Sequence, residues 1–385
     1  MIKKLYASRI DGMKESIFST MSKLNNEYKA INLGQGFPDF DGAKWIFDAA
    51  CEAMKSGKNQ YAPAAGIYSL RAAIAKVYEQ YYDLHVNPAD EITITAGATE
   101  ALYSTINALI EPGDEVILFE PVYDSHLADI LVAGGTPKFV TLHAPDFSFD
   151  AKELEETVTN RTKMILLNNP HNPTGKVYSR DELGIIADCA KRNNLLVLSD
   201  EVYEFLTFDS TPHIPIASLP GMKERTITIS STGKTFGLTG WKIGYAVASP
   251  ELTHAIMSIH QWTTFAVNTP GQHAMSYAFG KLEEYLPDFK ALYEQKRDLM
   301  LAELAKTKFK AFKPLGSYFM MVEIPDIHGH EAQECAIDLV KRCKVTTVPP
   351  EMFYGKSNEG KRLLRLCFAK QDQTIIDGIG NMGKY

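Results

Sequence analysis

Short runs of β-branched and aliphatic residues recur between residues 92 and 248, and most are separated by helix-length segments. The runs are ITIT at 92–95, EVILF at 115–119, KMILL at 163–167, LLVLS at 195–199, TITIS at 226–230 and IGYAVA at 243–248. Parallel strands need long crossovers and are buried on both faces, so this alternation predicts a mainly parallel sheet covered by helices. The predicted class is α/β. With 385 residues, the chain is long enough for two domains or one large domain with an appendage.

Ligands of such sheets bind beyond the carboxyl ends of the strands, where this chain places a lysine. The stretch from Thr226 to Tyr245, TITISSTGKTFGLTGWKIGY, carries a strand, a glycine-containing turn, Lys234 and a second lysine, Lys242. Lysine at this place suits a phosphate-binding P-loop or an amine that forms a Schiff base with a carbonyl cofactor. The P-loop is excluded by spacing, because the residue five positions before Gly233 is Thr228 rather than glycine.

Four other runs end in groups that suit a bound ligand, although each has a plainer explanation. AGATEAL follows Thr95, and its helix start suits a phosphate or is only a tight strand-to-helix connection. Asp200 follows the fourth run and either meets a cationic or donor partner or caps the next helix. The proline-stiffened loop at 168–175 fixes Asn172 or serves turn geometry alone. Tyr123 stacks on a flat cofactor or packs in the core.

Charge and cysteine usage restrict the partners and the compartment. A net charge of -7 without Lys/Arg blocks argues against nucleic-acid binding. The five cysteines form no CxxC pair and have no histidines at metal spacing, so we expect reduced thiols and no metal site. Neither a signal peptide nor a run of about 18 apolar residues is found in the sequence. We therefore expect a cytoplasmic protein that binds no membrane.

Four motifs carry a resemblance to a known family: AGATEAL, NPHNPTG, SDEVYE and SSTGKTFGLTGWKIGY. In order and spacing they resemble the fold-type I, class I pyridoxal-phosphate aminotransferases along nearly the whole chain. GQGFPDF at 34–40, QYAPAAGIYSLR at 60–71 and LLRLCFAK at 363–370 are similar to the branch containing methionine, kynurenine and glutamine-phenylpyruvate aminotransferases.

The resemblance also implies how the chain is divided. It implies a large domain with a mainly parallel seven-stranded sheet plus a smaller α+β domain. The expected parts are an N-terminal arm with part of the small domain at 1–44, the large cofactor-binding domain at 45–280, and a connecting helix with the C-terminal small domain at 281–385. We expect the long connecting helix to contain Tyr285 to Leu304.

Catalytic roles for Lys234, Asp200 and Tyr203 follow from the resemblance. Lys234 would bond to the cofactor aldehyde and then shuttle a proton, which requires burial and nearby cations to lower its pKa below the usual ~10.4. Asp200 would face the pyridine nitrogen and keep the ring protonated as an electron sink. Tyr203 and Asn172 would hydrogen-bond the phenolic oxygen of the cofactor, and Tyr123 would stack on its ring.

The resemblance also implies how the cofactor phosphate is held. Its ligands would be the backbone of Gly97, Ala98 and Thr99, the hydroxyl of Ser231 and the amine of Lys242. Lysine acts there as a point charge and is less directional than the arginine found in many aspartate aminotransferases. Tyr61 would reach the phosphate from a second subunit, which implies a homodimer with two shared sites, although a turn anchor is the alternative for this tyrosine.

Substrate contacts are implied for Arg365, Asn172, Gly36 and Phe37. The planar guanidinium of Arg365 would clamp the substrate α-carboxylate, unless it forms a salt bridge within the small domain. Gly36 would let the N-terminal segment approach the substrate, and Phe37 would cover the substrate side chain.

Two features depart from the branch. His126 stands where a phenol is frequent, and PPEMF at 349–353 replaces a more usual Pro-Gly turn. We expect both near the pocket for the substrate side chain, where a few contacts of ~1–3 kcal/mol each determine the preferred donor.

The function implied by the resemblance is transfer of the amino group of methionine or an aromatic amino acid to a 2-oxo acid by a ping-pong cycle. Kynurenine and glutamine are further candidate donors. The nearest alternative is a cysteine-conjugate or cystathionine-type β-lyase, which uses the same cofactor and fold. A transcriptional regulator with a degenerate domain is disfavoured, because GQGFPDF already begins at Gly34 and leaves little room for a preceding DNA-binding domain.

Overall fold

The computed structural model of the chain describes residues 7–10, 15–327 and 329–385. The strands are β1 (Ile31–Asn32), β2 (Ile92–Thr95), β3 (Glu115–Glu120), β4 (Thr136–Thr141), β5 (Thr162–Asn168), β6 (Leu196–Asp200), β7 (Thr226–Ser231), β8 (Gly244–Val247), β9 (Lys310–Ala311), β10 (Phe319–Glu323), β11 (Val345–Thr346) and β12 (Leu363–Cys367). The α-helices are α1 (Ile17–Tyr28), α2 (Lys44–Lys55), α3 (Tyr68–Tyr82), α4 (Gly97–Leu109), α5 (Asp124–Ala133), α6 (Ala151–Thr157), α7 (Arg180–Arg192), α8 (Thr232–Thr235), α9 (Pro250–Thr263), α10 (Thr269–Phe279), α11 (Leu282–Leu304), α12 (Ala332–Asp338) and α13 (Asp372–Met382).

The main sheet has seven strands in the order β2-β8-β7-β6-β5-β3-β4. Strand β8 runs antiparallel to both of its neighbours, and the other pairs in the sheet are parallel. The predicted α/β fold with a mainly parallel seven-stranded sheet is therefore confirmed. Every residue of β3 and β7 is buried, as expected for strands covered by helices on both faces.

Strand β4 is the one member of this sheet that the hydrophobic runs did not indicate. It lies at the edge of the sheet, contains Pro137 and begins with an exposed residue. An edge strand tolerates proline because one side of its backbone has no partner strand. The same features weaken the alternating apolar pattern from which a strand is recognised.

The parallel arrangement brings several sequence-distant segments to one edge of the sheet. Asn168, Asp200 and Ile229 are register partners at the carboxyl ends of β5, β6 and β7. Helix α4 begins directly beyond β2, and the short helix α8 with Lys234 begins directly beyond β7. The fold thus concentrates the polar strand ends around one site.

Smaller sheets unite the N-terminal and C-terminal parts of the chain. Strands β12, β10 and β9 form an antiparallel sheet, and β1 pairs in parallel with β11 through Ile31 and Val345. Helix α11 contains Tyr285 to Leu304, the residues expected in the long connecting helix. The boundaries 1–44, 45–280 and 281–385 remain a prediction.

Cys51 is exposed, the other four cysteines are buried, and all five are free. Within residues 7–10, 15–327 and 329–385, no cluster of three or more His, Cys, Asp or Glu side chains suits a metal ion. No helix in the same described ranges combines the length and apolarity needed to cross a membrane.

Candidate active site

A cleft of about 270 Å³ opens at the carboxyl ends of the parallel strands. It is lined by every predicted site residue except Tyr61, namely Gly36, Phe37, Gly97, Ala98, Thr99, Tyr123, Asn172, Asp200, Tyr203, Ser231, Lys234, Lys242 and Arg365. These residues come from strand ends, helix starts and the N-terminal segment. The structure therefore assembles in one place groups that are more than 300 positions apart in the sequence.

Lys234 stands in the first turn beyond β7 and points its amine into this cleft. Its Nζ donates to the hydroxyl of Tyr318 at 2.6 Å and lies 3.4 Å from the carbonyl oxygen of Gly36. Burial lowers the pKa of Lys234 to about 8, and the positive charges of Arg365 and Lys242 act in the same direction. The amine is thus closer to neutrality than a solvated lysine, which is the state in which nitrogen acts as a nucleophile or base.

Asp200 ends β6 and carries a nearly inaccessible carboxylate. Its Oδ2 lies 2.9 Å from Nε2 of His126, and its Oδ1 accepts from the backbone N–H of Val202 at 3.3 Å. The side chain of Asn168 donates to the backbone carbonyl of Asp200 at 2.9 Å. The carboxylate therefore has a donor partner within the fold, which agrees with the requirement that a buried carboxylate be satisfied.

His126 lies next to the cleft but behind its lining residues. It does not line the cleft of the described residues but lies buried behind Asp200, with its ring edge-on to Tyr123 at 5.4 Å. Helix α5 directs it toward the strand ends, so it adjoins the cleft through Asp200 and Tyr123 without lining it, and its nearness to the substrate side chain stays a prediction. Phe353 belongs to the PPEMF segment, which differs from the usual sequence of the branch. It is buried against Phe18, which lines the cleft.

One end of the cleft combines a cation with a helix N-terminus. Nζ of Lys242 donates to Oγ1 of Thr99 at 3.1 Å, in the first turn of α4. Gly97 has a φ of +74°, and a Cβ there would lie 3.2 Å from Cε of Lys242, so a larger residue would crowd the lysine. Ser231 lines the same cleft. Free backbone N–H groups and an ammonium at this place suit an anion.

The cleft is also lined by Arg365, which is almost fully buried in β12. Its Nη1 donates to Oδ1 of Asn172 at 3.0 Å and its Nη2 donates to the carbonyl of Gly34 at 2.8 Å. These partners are neutral, so they do not form the salt bridge considered as an alternative. Nε of Arg365 has no hydrogen-bond partner among the described residues, which leaves the guanidinium with unused donor capacity toward a ligand.

Aromatic rings enclose the rest of the cleft. Burial raises the pKa of Tyr203 well above its usual range and that of Tyr123 to about 12, so both hydroxyls stay protonated at neutral pH. The guanidinium of Arg365 lies 4.0 Å from the ring centroid of Phe319 and 4.8 Å from that of Phe18. The wall beside the arginine is therefore apolar.

Several contributors to the site were missed in the sequence. Phe18, Phe319, Gln35 and Asn168 line the cleft, and Tyr318 contacts Lys234 directly. Tyr318 immediately precedes β10, and Phe319 is the first residue of that strand. An aromatic pair at a strand start is usual in a core, so the sequence holds no separate signal for these contacts.

Tyr61 lies apart from the cleft of its own chain. It is 83% exposed and packs edge-on against Phe265 at 5.4 Å. Trp262, on the nearby helix α9, is 84% exposed. Contiguous exposed aromatic side chains are typical of surfaces that contact another protein.

Comparison with known proteins gives the same family as the motifs. The family model for aminotransferase class I and II matches residues 28–378. The chain is 38% identical to the kynurenine–oxoglutarate transaminase of Dictyostelium discoideum (96% of this chain, 94% of that protein) and 37% identical to the methionine aminotransferase of Escherichia coli (96% and 95%). The structure of N-succinyldiaminopimelate aminotransferase from Mycobacterium tuberculosis superposes with a TM-score of 0.95 at 36% identity, covering 98% of this chain and 99% of that one. The chain therefore belongs to the class I and II aminotransferases, enzymes that move amino groups with pyridoxal phosphate.

Proposed function

We propose that the protein is a homodimeric aminotransferase that transfers the amino group of methionine or an aromatic amino acid, with kynurenine and glutamine as further donors, to a 2-oxo acid. The observation that carries this proposal is the position of Arg365, which offers an unused donor beside an apolar aromatic wall. A carboxylate bound there would leave the amino-acid side chain against aromatic rings.

The residues of the cleft fit the cofactor that the family uses. Lys242 and the start of α4 form a cationic, donor-rich end suited to the phosphate, and Asp200 provides a buried carboxylate suited to the pyridine nitrogen. Lys234 provides an amine suited to the aldehyde. When bound, pyridoxal phosphate supplies the aldehyde and an electron-withdrawing ring. Tyr123 would cover the ring, and Tyr203 and Asn172 would donate to its phenolic oxygen.

We assign the proton-transfer step to Nζ of Lys234. With its lowered pKa, the amine can accept a proton from the substrate carbon and return it to a neighbouring atom without leaving the cleft. Arg365 would hold the substrate carboxylate throughout, while Gly36 and Phe37 close over the substrate from the N-terminal segment. The buried carboxylate of Asp200 would accept a hydrogen bond from the pyridine nitrogen of the bound cofactor.

The charges of the cleft favour donors without a second carboxylate. Among the described residues that line it, the lysine and arginine side chains are Lys234, Lys242 and Arg365, and each has a role above. Aspartate would need a further cation for its side chain, whereas methionine or phenylalanine would need only apolar contact. The names of the kynurenine and methionine relatives also support donors without a second carboxylate. The relatives reported above give no support to the β-lyase alternative.

We also propose the assembly and the compartment. The exposed aromatic surface around Tyr61 supports a dimer in which this side chain reaches the partner's phosphate end. The five free cysteines support a reducing compartment, and we propose the cytoplasm. Cell fractionation with a compartment marker tests the latter.

Two experiments test the chemistry. Borohydride reduction of the holoenzyme followed by peptide mapping should place the cofactor on Lys234, and a label on any other residue would overturn the site assignment. A donor panel should then give kcat/KM for methionine and phenylalanine well above that for aspartate. A lyase would instead release pyruvate, ammonia and a thiol from a cysteine conjugate without any 2-oxo acid.

A further inference from the structure

We propose that Tyr318 is a positioning residue for Lys234, which it ties to the carbonyl of Gly36 so that the lone pair of the free amine stays unbonded. The inference rests on the proposed function, because it concerns the amine that would serve that reaction. Tyr318 has no assigned role in the motifs from which the site was predicted.

Counting protons determines the direction of these hydrogen bonds. A phenol has one proton to donate, and its oxygen can also accept. The hydroxyl of Tyr318 donates to the carbonyl oxygen of Gly36 at 2.7 Å, since a carbonyl can only accept. Toward Lys234, 2.6 Å away, the same hydroxyl must therefore accept. Lys234 uses one N–H in this contact and directs a second toward the carbonyl of Gly36 at 3.4 Å, so the lone pair of the neutral amine remains available for bonding or for taking a proton.

The phenol is held rigidly and stays protonated. Tyr318 is 1% exposed, its ring meets that of Tyr203 edge-on at 5.0 Å, and it stacks on Tyr293 at 6.2 Å. Burial raises the pKa of Tyr318 well above its usual range, so at neutral pH it does not become a charged competitor for the lysine proton. A fixed acceptor of this kind restricts a flexible lysine to one arrangement.

The contact also joins the lysine to the substrate end of the cleft. Gly36 belongs to the N-terminal segment whose Gly34 carbonyl accepts from Nη2 of Arg365. One short stretch of backbone therefore contacts both the proposed carboxylate clamp and, through Tyr318, the reactive amine. Substrate binding at Arg365 and the position of Lys234 would therefore both depend on this stretch of backbone.

The test begins with the apoenzyme, so that it does not depend on turnover. Trace acetylation by acetic anhydride from neutral to alkaline pH, read from the Lys234 peptide by mass spectrometry, gives the pKa of its amine. The titratable and charged groups that surround this amine in the wild type, and against which its pKa is measured, are Asp200, Tyr203, Lys242, Tyr318, Arg365 and Cys367. Tyr318→Phe fills nearly the same volume and removes only the hydroxyl, and Tyr293→Phe removes a hydroxyl from the ring stacked on it.

We expect Tyr318→Phe to lower the acetylation midpoint of Lys234 by about one pH unit, because the ammonium form loses an acceptor. In the holoenzyme, kcat should fall about tenfold with KM changed less than about twofold, as the substrate contacts stay in place. Tyr293→Phe should match the wild type in both measurements. If the two variants behave alike, the inference is wrong. If instead the wild type forms no adduct at Lys234, the proposed function fails while the acetylation result still stands.

Discussion

Nε2 of His126 lies 2.9 Å from Oδ2 of Asp200, behind the wall of the cleft, and both side chains are nearly inaccessible to water. The pair links helix α5 to the end of strand β6. It gives the buried carboxylate a fixed orientation and a hydrogen-bond donor. Since Asp200 is the proposed partner of the pyridine nitrogen, His126 would influence the cofactor without touching the cleft.

Replacement of His126 tests this link. We expect His126→Phe to lower kcat about ten- to a hundredfold, because a buried carboxylate that loses its donor costs about 1–3 kcal/mol. His126→Tyr should retain most of the activity, since a phenol can donate to Asp200 from the same place. Steady-state kinetics and the absorbance spectrum of the bound cofactor measure both effects. Equal loss in the two variants would argue against the hydrogen bond as the cause.

Arg365→Lys tests the carboxylate clamp. Lysine keeps the charge but cannot present parallel donors, so KM for methionine should rise about ten- to a hundredfold. For 3-(methylthio)propylamine, which lacks the carboxylate, binding measured by displacement should be unchanged. Arg362→Lys is the matched control, because Arg362 is in the same region and donates to the carbonyls of Ile324 and His330. An equal rise of KM in the control would point to a general disturbance of this region.

Lys242→Met tests the phosphate end. Loss of the ammonium should weaken pyridoxal phosphate binding to the apoenzyme by about ten- to a hundredfold, while the affinity for pyridoxal, which lacks the phosphate, should change little. Equilibrium dialysis or fluorescence titration gives both dissociation constants. Lys308→Met, at an exposed position, controls for the change in net charge. A parallel loss of affinity for both ligands would place Lys242 away from the phosphate.

The part of the site that was predictable from sequence is the part carried by strand ends. Asp200 and Lys234 follow recognisable apolar runs, and parallel topology brings their ends together. The contacts of His126 with Asp200 and of Tyr318 with Lys234 join residues 74 and 84 positions apart, and neither depends on a local pattern. They depend on where α5 and the residue before β10 lie in the folded chain, which periodicity alone does not determine.

Lys234→Met should stabilise the apoenzyme. Burial lowers the lysine pKa from its ordinary 10.5 to about 8, a difference that corresponds to roughly 3 kcal/mol. Below about pH 8, both folded and unfolded chains carry the proton, so the full cost of the buried charge is present. Between about 8 and 10.5 the folded state has released its proton, and the cost fades.

Urea unfolding of the apoenzyme measures this effect. At pH 7 the free energy of unfolding of Lys234→Met should exceed that of the wild type by roughly 2–3 kcal/mol, and the gap should narrow as the pH rises toward 10. Lys308→Met should have the same free energy of unfolding as the wild type at both pH values. If the difference in free energy of unfolding between Lys234→Met and the wild type did not change with pH, the added stability would come from apolar packing rather than from removal of the charge.

Mixing two inactive variants tests whether Tyr61 serves the partner's site. Tyr61→Ala and Lys234→Ala should each have low activity alone. In a heterodimer, the site built on the Tyr61→Ala chain keeps its own Lys234 and receives Tyr61 from the other chain, so it is complete. Random exchange of equal amounts should then restore about a quarter of wild-type activity, since half of the dimers are mixed and each has one intact site. Mixing Lys234→Ala with Lys234→Met is the control and should restore none. Native mass spectrometry shows whether the subunits have exchanged. If they have and the first mixture still recovers no activity, Tyr61 acts within its own chain or has no role in the site.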